Sequence, residues 1–208
     1  MPAADNPSAT GQLGRAFADP VRASQSSFRH ILDAMAEPGT VHPLAADVQQ
    51  PRGLAPAAAV ALLTLADFET PVWLDPGIGE TAAAYVRFHT GARLAGDPRD
   101  AHFAVIDGAQ DVPGLAAFDP GNDRYPDRSA TVIIQCRALT GGAAVTLAGP
   151  GIRGTRPVAP AGLWPRFWRE VAANAERYPL GIDLLLVADR LIMGLPRSCR
   201  VVSTPETL

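Results

Sequence analysis

The sequence predicts an α/β protein with a three-layer α/β/α arrangement, in which helices cover both faces of a mixed sheet. Helix-like and strand-like segments intermix along the 208 residues. Several strand-like segments are apolar at almost every position, which is typical of strands that are buried on both faces. Two hairpin signals make some neighbouring strands antiparallel, so the sheet is expected to be mixed.

The first half of the chain alternates between the two kinds of element. Asp19 followed by Pro20 is typical of a helix start, and Pro38-Gly39 ends that helix. Gly91 closes a later helix in the same way. Helices are expected over residues 20–36, 56–67 and 81–89, and strands over residues 41–44, 71–74 and 102–107.

The second half of the chain is richer in strands. The β-branched run Thr131–Cys136 predicts a buried strand, and Gly141-Gly142 predicts a hairpin to the next strand at 143–148. An amphipathic helix is expected over 163–177, because Pro179 stops it. Two further strands, 182–188 and 191–195, are joined by a tight turn.

Length and composition indicate one domain. We expect a flexible, polar N-terminal arm over residues 1–17 and a single domain over residues 18–208. The net charge of −3 gives no basic surface for nucleic acid. No stretch reaches about 18 apolar residues, so no membrane span is expected. Without a signal-peptide pattern, the two isolated cysteines, Cys136 and Cys199, favour a reducing cytoplasm over a disulfide scaffold or a metal site.

The chain contains no lysine, because all 18 residues counted as Lys or Arg are arginines. Coding bias in an Ala-, Arg-, Pro- and Gly-rich chain is one explanation. The chemical consequence is independent of the cause. A pyridoxal enzyme needs a lysine amine for its internal aldimine, and a P-loop needs a lysine on the terminal phosphates. Neither chemistry is open to this chain.

A glycine-rich motif follows one predicted strand. Gly149-Pro150-Gly151-Ile152-Arg153-Gly154 matches the G-x-G-x-x-G pattern of dinucleotide-binding folds. That pattern requires a helix to begin at the motif, so that the helix N-terminus faces the pyrophosphate. Pro157 and Pro160 exclude a helix there. A tight turn is the favoured interpretation.

Two carboxylates are candidates for buried groups. Asp183 stands inside an apolar strand, where a carboxylate costs several kcal/mol unless it is paired. It is either a site acid or an anchor for an arginine or backbone amides. Asp67, at the end of the second helix before Thr70-Pro71, has the same ambiguity, with a bond to the next loop as a further alternative. The anchor is the favoured alternative.

Candidates for anion binding are Arg87 and His89 at the end of the third helix. Residues two positions apart on a helix point in different directions, so a solvated face is the competing interpretation. None of the four histidines has metal-ligand spacing, and Cys136 lies in an apolar run where a thiol is inert. No catalytic residues and no metal ligands are therefore assigned, which favours a subunit or a scaffold.

Several segments together resemble the PhnH family of phosphonate-metabolism proteins. They follow in the same order from Phe17 onward, and the N-terminal arm lies outside the resemblance. The segments are residues 28–39 (FRHILDAMAEPG), 62–67, 70–74, 87–91, 103–105, 129–131, 147–152, 179–184 and 196–197. Each segment alone is weak, and the specificity comes from the whole set.

The resemblance implies a subunit of the bacterial carbon–phosphorus lyase system. It implies that the chain acts with PhnG, PhnI, PhnJ and PhnL to make a ribose 1-alkylphosphonate 5-triphosphate from ATP and an alkylphosphonate. It also implies a homodimer, and a fold similar to pyridoxal-dependent transferases without the cofactor. The family offers no catalytic residues to carry over, so a non-catalytic role is expected. The alternatives are a nucleotide- or phosphonate-binding enzyme that uses Asp183 or His89 with arginines, and a small-ligand sensor.

Overall fold

The structure, a computed structural model, describes residues 14–44, 46–109 and 113–203. Its helices are α1 (Pro20–Ala36), α2 (Pro56–Leu65), α3 (Glu80–Thr90) and α4 (Phe167–Ala175). Its strands are β1 (Val41–Pro43), β2 (Val72–Leu74), β3 (Phe103–Asp107), β4 (Thr131–Gln135), β5 (Val145–Ala148), β6 (Arg156–Val158), β7 (Asp183–Ala188), β8 (Leu191–Leu195) and β9 (Arg200–Ser203). Short 3-10 turns separate several of these elements.

The main sheet has six strands in the order β1-β8-β7-β4-β3-β2. The four strands β2, β3, β4 and β7 are parallel, whereas β8 and β1 add to one side in antiparallel fashion. The prediction of a mixed α/β sheet is therefore confirmed. A second sheet of three strands, in the order β6-β5-β9, is antiparallel throughout.

The prediction of a hairpin between β4 and β5 is wrong. Both edges of β4 are already occupied, by β3 on one side and β7 on the other, so β4 has no free edge for a hairpin partner. After Gln135 the chain leaves the main sheet, and Arg137 and Ala138 bond to Ala161 instead. Strand β5 pairs with β6 and β9 in the small sheet. The second hairpin, β7 to β8, is present as predicted, and its turn places Asp189 at a φ of 49°.

Two apolar clusters fill the space on either side of the main sheet. On one side, α1, α2 and α3 pack against the sheet residues Val105, Ile133 and Leu185. On the other side, α4 and the small sheet pack against Ile134 and Leu186. The main sheet is thus covered on both faces, with the second cover shared between a helix and the small sheet. The likeness of this arrangement to pyridoxal-dependent transferases stays a prediction.

The ends of the helices follow local chemistry. Asp19 caps α1 by accepting a hydrogen bond from the Arg22 N–H, and Gly91 ends α3 at a φ of 72°. Helix α4 starts later than residue 163, because Pro165 disfavours a helical conformation at the residue before it. Helix α2 is buried along most of its length, as expected for a helix that is apolar all round.

The predicted N-terminal arm falls mostly outside the described residues, since residues 1–13 are among those not described. The last part of the arm, residues 14–17, contacts the domain. Arg15 Nη2 lies 2.6 Å from Asp47 Oδ2, and Phe17 belongs to the core beside the first three helices. The boundary at residue 18 and the single-domain organisation stay predictions.

Candidate functional site

Asp183 begins β7, and its carboxylate is bound to Arg197, which lies in the turn between β8 and β9. Its Oδ1 accepts hydrogen bonds from the backbone N–H of Arg197 at 2.8 Å and from Arg197 Nε at 3.2 Å, while Oδ2 accepts one from Nη2. The exposed fractions of the two side chains are only 20% and 14%. This partly buried pair has the geometry of the anchor alternative, because three N–H groups of Arg197 bind the two carboxylate oxygens.

The guanidinium of Arg197 also holds a loop. Its Nη1 donates to the Pro126 carbonyl oxygen at 2.6 Å. In that loop, the guanidinium carbons of Arg124 and Arg128 lie 5.2 and 4.2 Å from the centre of the Tyr125 ring. The loop therefore sits at the amino end of β4 and β7, with two exposed arginines stacked on one aromatic ring.

Ser129 follows this loop and is buried. Its hydroxyl has no hydrogen-bond partner within the part of the chain that the structure describes. Asp123 and Asp127 flank the two arginines of the loop, so the sequence there alternates in charge. Each arginine follows an aspartate directly, and the negative charges would repel a bound anion, so the loop is a weak candidate for an anion-binding site.

Asn174 is a buried polar residue that sequence reasoning missed. Its side-chain nitrogen donates to the Ile182 carbonyl oxygen, and its side-chain oxygen accepts from the Ile182 N–H, both at 2.9 Å. These two bonds fix the turn between α4 and β7. The available signal was position, because Asn174 lies three residues after Val171 and seven after Phe167, on the buried face of α4.

Asp67 is exposed, so the prediction of a buried carboxylate at this position is wrong. It lies just past the end of α2, where the chain has already turned towards the surface. Its Oδ1 accepts hydrogen bonds from the Glu69 N–H and the Thr70 hydroxyl at 2.9 and 3.0 Å. Asp67 shapes a local turn, as short polar side chains commonly do.

Arg87 and His89 lie at the end of α3 and have separate partners. Arg87 Nη2 lies 2.6 Å from the exposed Glu80 Oε1 on the same helix. His89 Nε2 lies 3.2 Å from the Gly14 carbonyl oxygen, and its ring packs edge-on against Tyr85 with the centroids 4.5 Å apart. The two side chains do not converge on one point, which agrees with their spacing along the helix.

A threonine and a histidine come close at the end of α1. Thr40 Oγ1 lies 2.6 Å both from the Glu37 carbonyl oxygen and from His42 Nε2. The single hydroxyl proton satisfies the helix carbonyl, so His42 donates to Thr40 in this arrangement. The contact closes the helix end and leaves no base acting on the hydroxyl.

The glycine-rich motif forms a turn that leads into β6 and no helix follows it. Gly151 has a φ of 80°, and a Cβ at this residue would lie 2.1 Å from the Ala36 carbonyl oxygen. The glycine allows the turn to approach the end of α1. The motif thus serves packing between the small sheet and α1, and a dinucleotide site would lack its helix.

Burial makes the thiols of Cys136 and Cys199 unreactive. Burial raises the pKa of the Cys136 thiol to about 12 and that of Cys199 to about 11. Cys136 follows β4 rather than lying within it. Both thiols are free and protonated at neutral pH.

The described residues contain neither a cluster suited to a metal ion nor a helix suited to crossing a membrane. No group of three or more His, Cys, Asp or Glu side chains in residues 14–44, 46–109 and 113–203 is placed to hold a metal ion. Over the same ranges, no helix combines the length and apolar character needed to cross a membrane.

Helix α1 exposes a row of large apolar side chains. Val21, Phe28 and Leu32 are 80%, 51% and 55% exposed. Their spacing of seven and four residues places them on one face of the helix. We call these three residues the α1 stripe. The opposite face carries Ile31 and Ala34 into the core.

Fold and site together define a mixed α/β domain in which Asp183, Arg197, Asn174 and Gly151 bind or pack against other parts of the same chain. Residues 15–202 match the family model described as bacterial phosphonate metabolism protein (PhnH). The chain belongs to this PhnH family.

Two relatives extend the comparison over most of the chain. The chain is 39% identical to the alpha-D-ribose 1-methylphosphonate 5-triphosphate synthase subunit PhnH of Rhizobium meliloti (strain 1021), over 89% of this chain and 94% of the relative. It is 28% identical to the putative C-P lyase subunit protein HtxG of Stutzerimonas stutzeri, over 85% of each chain. The resemblance noted in the sequence is thereby confirmed.

Proposed function

We propose that this protein is the PhnH subunit of a carbon–phosphorus lyase system. In this role it is needed with PhnG-, PhnI- and PhnL-type subunits to make alpha-D-ribose 1-methylphosphonate 5-triphosphate from ATP and methylphosphonate, in an assembly that also contains a PhnJ-type subunit. The observation that carries the proposal is the 39% identity, over nearly the full length of both chains, to a relative named as that synthase subunit. The cytoplasmic location stays a prediction from the cysteines.

Within this transferase assembly, we propose a structural rather than a catalytic role. Support comes from the candidate acid–base groups. Asp183 is bound to Arg197, and His89 contacts Gly14 and Tyr85. The two groups contact different segments of the chain and share no partner among the described residues. The alternative of an enzyme that combines Asp183 or His89 with arginines finds no support in this geometry.

Self-association is the second part of the proposal. Large exposed apolar side chains in one row are typical of a contact surface. The α1 stripe is such a row. A homodimer that joins the larger assembly, as the resemblance implies, would cover it.

The test is reconstitution. The chain is co-expressed with tagged PhnG-, PhnI-, PhnJ- and PhnL-type subunits from the same source, and adenine release from ATP and methylphosphonate is followed by chromatography. We expect co-purification, adenine release by the assembly, and none by the isolated chain. Steady adenine release by the isolated chain would contradict the structural role. Full activity of an assembly that lacks the chain, or a failure to co-purify, would contradict the proposal itself.

A further inference from the structure

A groove runs between the first two turns of α1 and the segment that follows β1. Its volume is about 350 Å³, near the lower end of the range of small-ligand pockets. Phe17, Ala23 and Ala46 give the groove apolar walls, and most of the remaining lining is polar. Ala23 and Ser27 lie on the same face of α1 as the buried Ile31, which is the face opposite the α1 stripe. The groove is therefore separate from the surface proposed for self-association.

Ser27 distinguishes this groove from an ordinary surface depression. It lines the groove and is only 4% exposed, and its hydroxyl has no hydrogen-bond partner in the part of the chain that the structure describes. The helical hydroxyls of Thr64 and Thr90, by contrast, donate to the carbonyl oxygens one turn earlier, at 2.7 and 2.8 Å. A buried hydroxyl without a partner lowers stability, and alanine would suit both the helix and the burial better. A ligand that bonds to Ser27 would remove this cost.

The charged groups that line the groove are balanced in pairs. Asp19 and Asp47 contribute carboxylates, and Arg22 contributes a guanidinium. Arg22 Nε lies 3.7 Å from Asp19 Oδ2, and the Arg22 side chain is 89% exposed. Asp47 Oδ2 lies 2.6 Å from Arg15 Nη2. The groove is thus bordered by strong hydrogen-bond acceptors and a strong donor, without an excess charge of its own.

The groups around the groove keep this balance. Arg29 and Asp33 follow Ser26 at one and two turns along the same flank of α1, and their charges are opposite. Arg190, in the turn between β7 and β8, donates to the Ala46 carbonyl oxygen at 3.3 Å. Because charges of both signs face the groove from every side, it suits neither a strongly anionic ligand such as a triphosphate nor a polycation.

We propose that this groove binds a small, uncharged ligand with adjacent hydroxyl groups, the chemical class of pentoses and nucleosides. A hydroxyl group both donates and accepts, so it can donate to the Asp47 carboxylate and accept from the Arg22 guanidinium. An adjacent hydroxyl can bond to Ser27, which supplies the missing partner. The apolar walls suit the carbon-bound face of the ring. Only the hydroxyl and the charges of this groove carry the proposal, which therefore stands apart from the proposed function.

The experiment follows the backbone amide signals of the full chain by NMR during titration with adenosine, which is uncharged and has two adjacent hydroxyls. We expect the signals of the first two turns of α1 and of residues 46–47 to shift together, with a Kd of about 1 mM, as is usual for a small ligand in an open groove. 2′-Deoxyadenosine is the matched ligand control, since it lacks one of the two hydroxyls. It should bind about fivefold more weakly. D-Ribose should shift the same signals.

Ser27→Ala tests the residue on which the proposal depends. It should weaken adenosine binding by about fivefold, the usual effect of one hydrogen bond, and the midpoint of urea unfolding should not fall. Ser129→Ala is the matched control. Ser129 is 8% exposed and its hydroxyl also lacks a partner among the described residues, but it does not line this groove. This variant should bind adenosine like the wild type.

Three results would overturn the proposal: no shift of these signals at any adenosine concentration, equal binding of 2′-deoxyadenosine, and unchanged adenosine binding by Ser27→Ala. If adenine without its sugar bound as tightly as adenosine, or if methylphosphonate displaced adenosine, the ligand would belong to another chemical class and the proposal would be wrong. Co-purification and adenine release by the reconstituted assembly judge the proposed function separately. An empty groove would leave that function standing, and a failed reconstitution would leave the groove to be judged by the titration.

Discussion

Replacing Asp183 by Ala should destabilise the protein more than any surface substitution. The variant would leave the Arg197 backbone N–H and guanidinium without their acceptor at a site where the arginine side chain is only 14% exposed. The guanidinium of Arg197 would still bind the Pro126 carbonyl oxygen, but its positive charge would have lost the Asp183 carboxylate. The change therefore perturbs two segments that meet at the amino end of β7.

The expected magnitude follows from the number of contacts and their burial. Removing one partner of a buried ion pair typically costs about 3–5 kcal/mol in the free energy of unfolding. The residual exposure of this pair lowers that figure, so we expect about 2–4 kcal/mol for Asp183→Ala. Asp183→Asn keeps an acceptor for the Arg197 N–H and should cost about half as much.

The chain supplies a matched control in the pair Arg87–Glu80. Its two charged atoms are 2.6 Å apart, but the side chains are 51% and 81% exposed. Double-mutant cycles by urea unfolding should give a coupling energy of about 2 kcal/mol or more for Asp183–Arg197 and below about 0.5 kcal/mol for Arg87–Glu80. Equal coupling energies for the two pairs would refute the view that burial makes Asp183 an anchor.

Three further predictions concern the glycine-rich turn and the thiols. Gly151→Ala should lower the free energy of unfolding by about 2 kcal/mol or more, because the new Cβ would meet the Ala36 carbonyl oxygen. Gly154 has a similar φ of 74° but open space around it, so Gly154→Ala should cost only about 1 kcal/mol. Equal losses in urea unfolding would show that the close contact with α1 does not contribute to the cost at Gly151. Iodoacetamide at pH 8 should label Cys136 and Cys199 slowly in the folded protein and rapidly in urea, since burial raises their pKa to about 12 and about 11. The thiols of the unfolded chain release their protons near pH 9, before those of the folded protein. The stability that these groups contribute should therefore be complete below pH 9 and fall as the pH rises towards about 12. A free energy of unfolding that does not change over this pH range would contradict the pKa values.

The elements that the sequence predicted well are those with local signals. Each of these signals acts within a few residues of the element that it predicts. They are the N-cap Asp19, the helix end at Gly91 and the β-branched run after Ser129. Strands β6 and β9 escaped notice because they are short, and because Pro157 argues against a strand anywhere but at a sheet edge. Strand β6 is such an edge.

Pairing between distant segments could not be predicted from local patterns. The β4–β5 hairpin was expected from Gly141-Gly142, but the competition for the two edges of β4 is decided by β3 and β7. The burial of Asp183 was visible in its apolar surroundings, whereas its partner Arg197, 14 residues further on, was not. Asp67 was a candidate for a buried carboxylate, but the chain has already reached the surface at the end of α2 and Asp67 bonds the following turn instead.

The structure divides the residues of the 28–39 segment into two groups. Ile31 and Ala34 fill the core, and Gly39, at a φ of 79°, approaches Val158 too closely for a side chain of its own. These residues are explained by packing within the chain. Phe28 and Leu32 are only partly explained in this way, because about half of each side chain is exposed. Exposed apolar side chains in one row are typical of a contact surface, and for this reason the α1 stripe, rather than a polar cluster, is the surface proposed above for self-association.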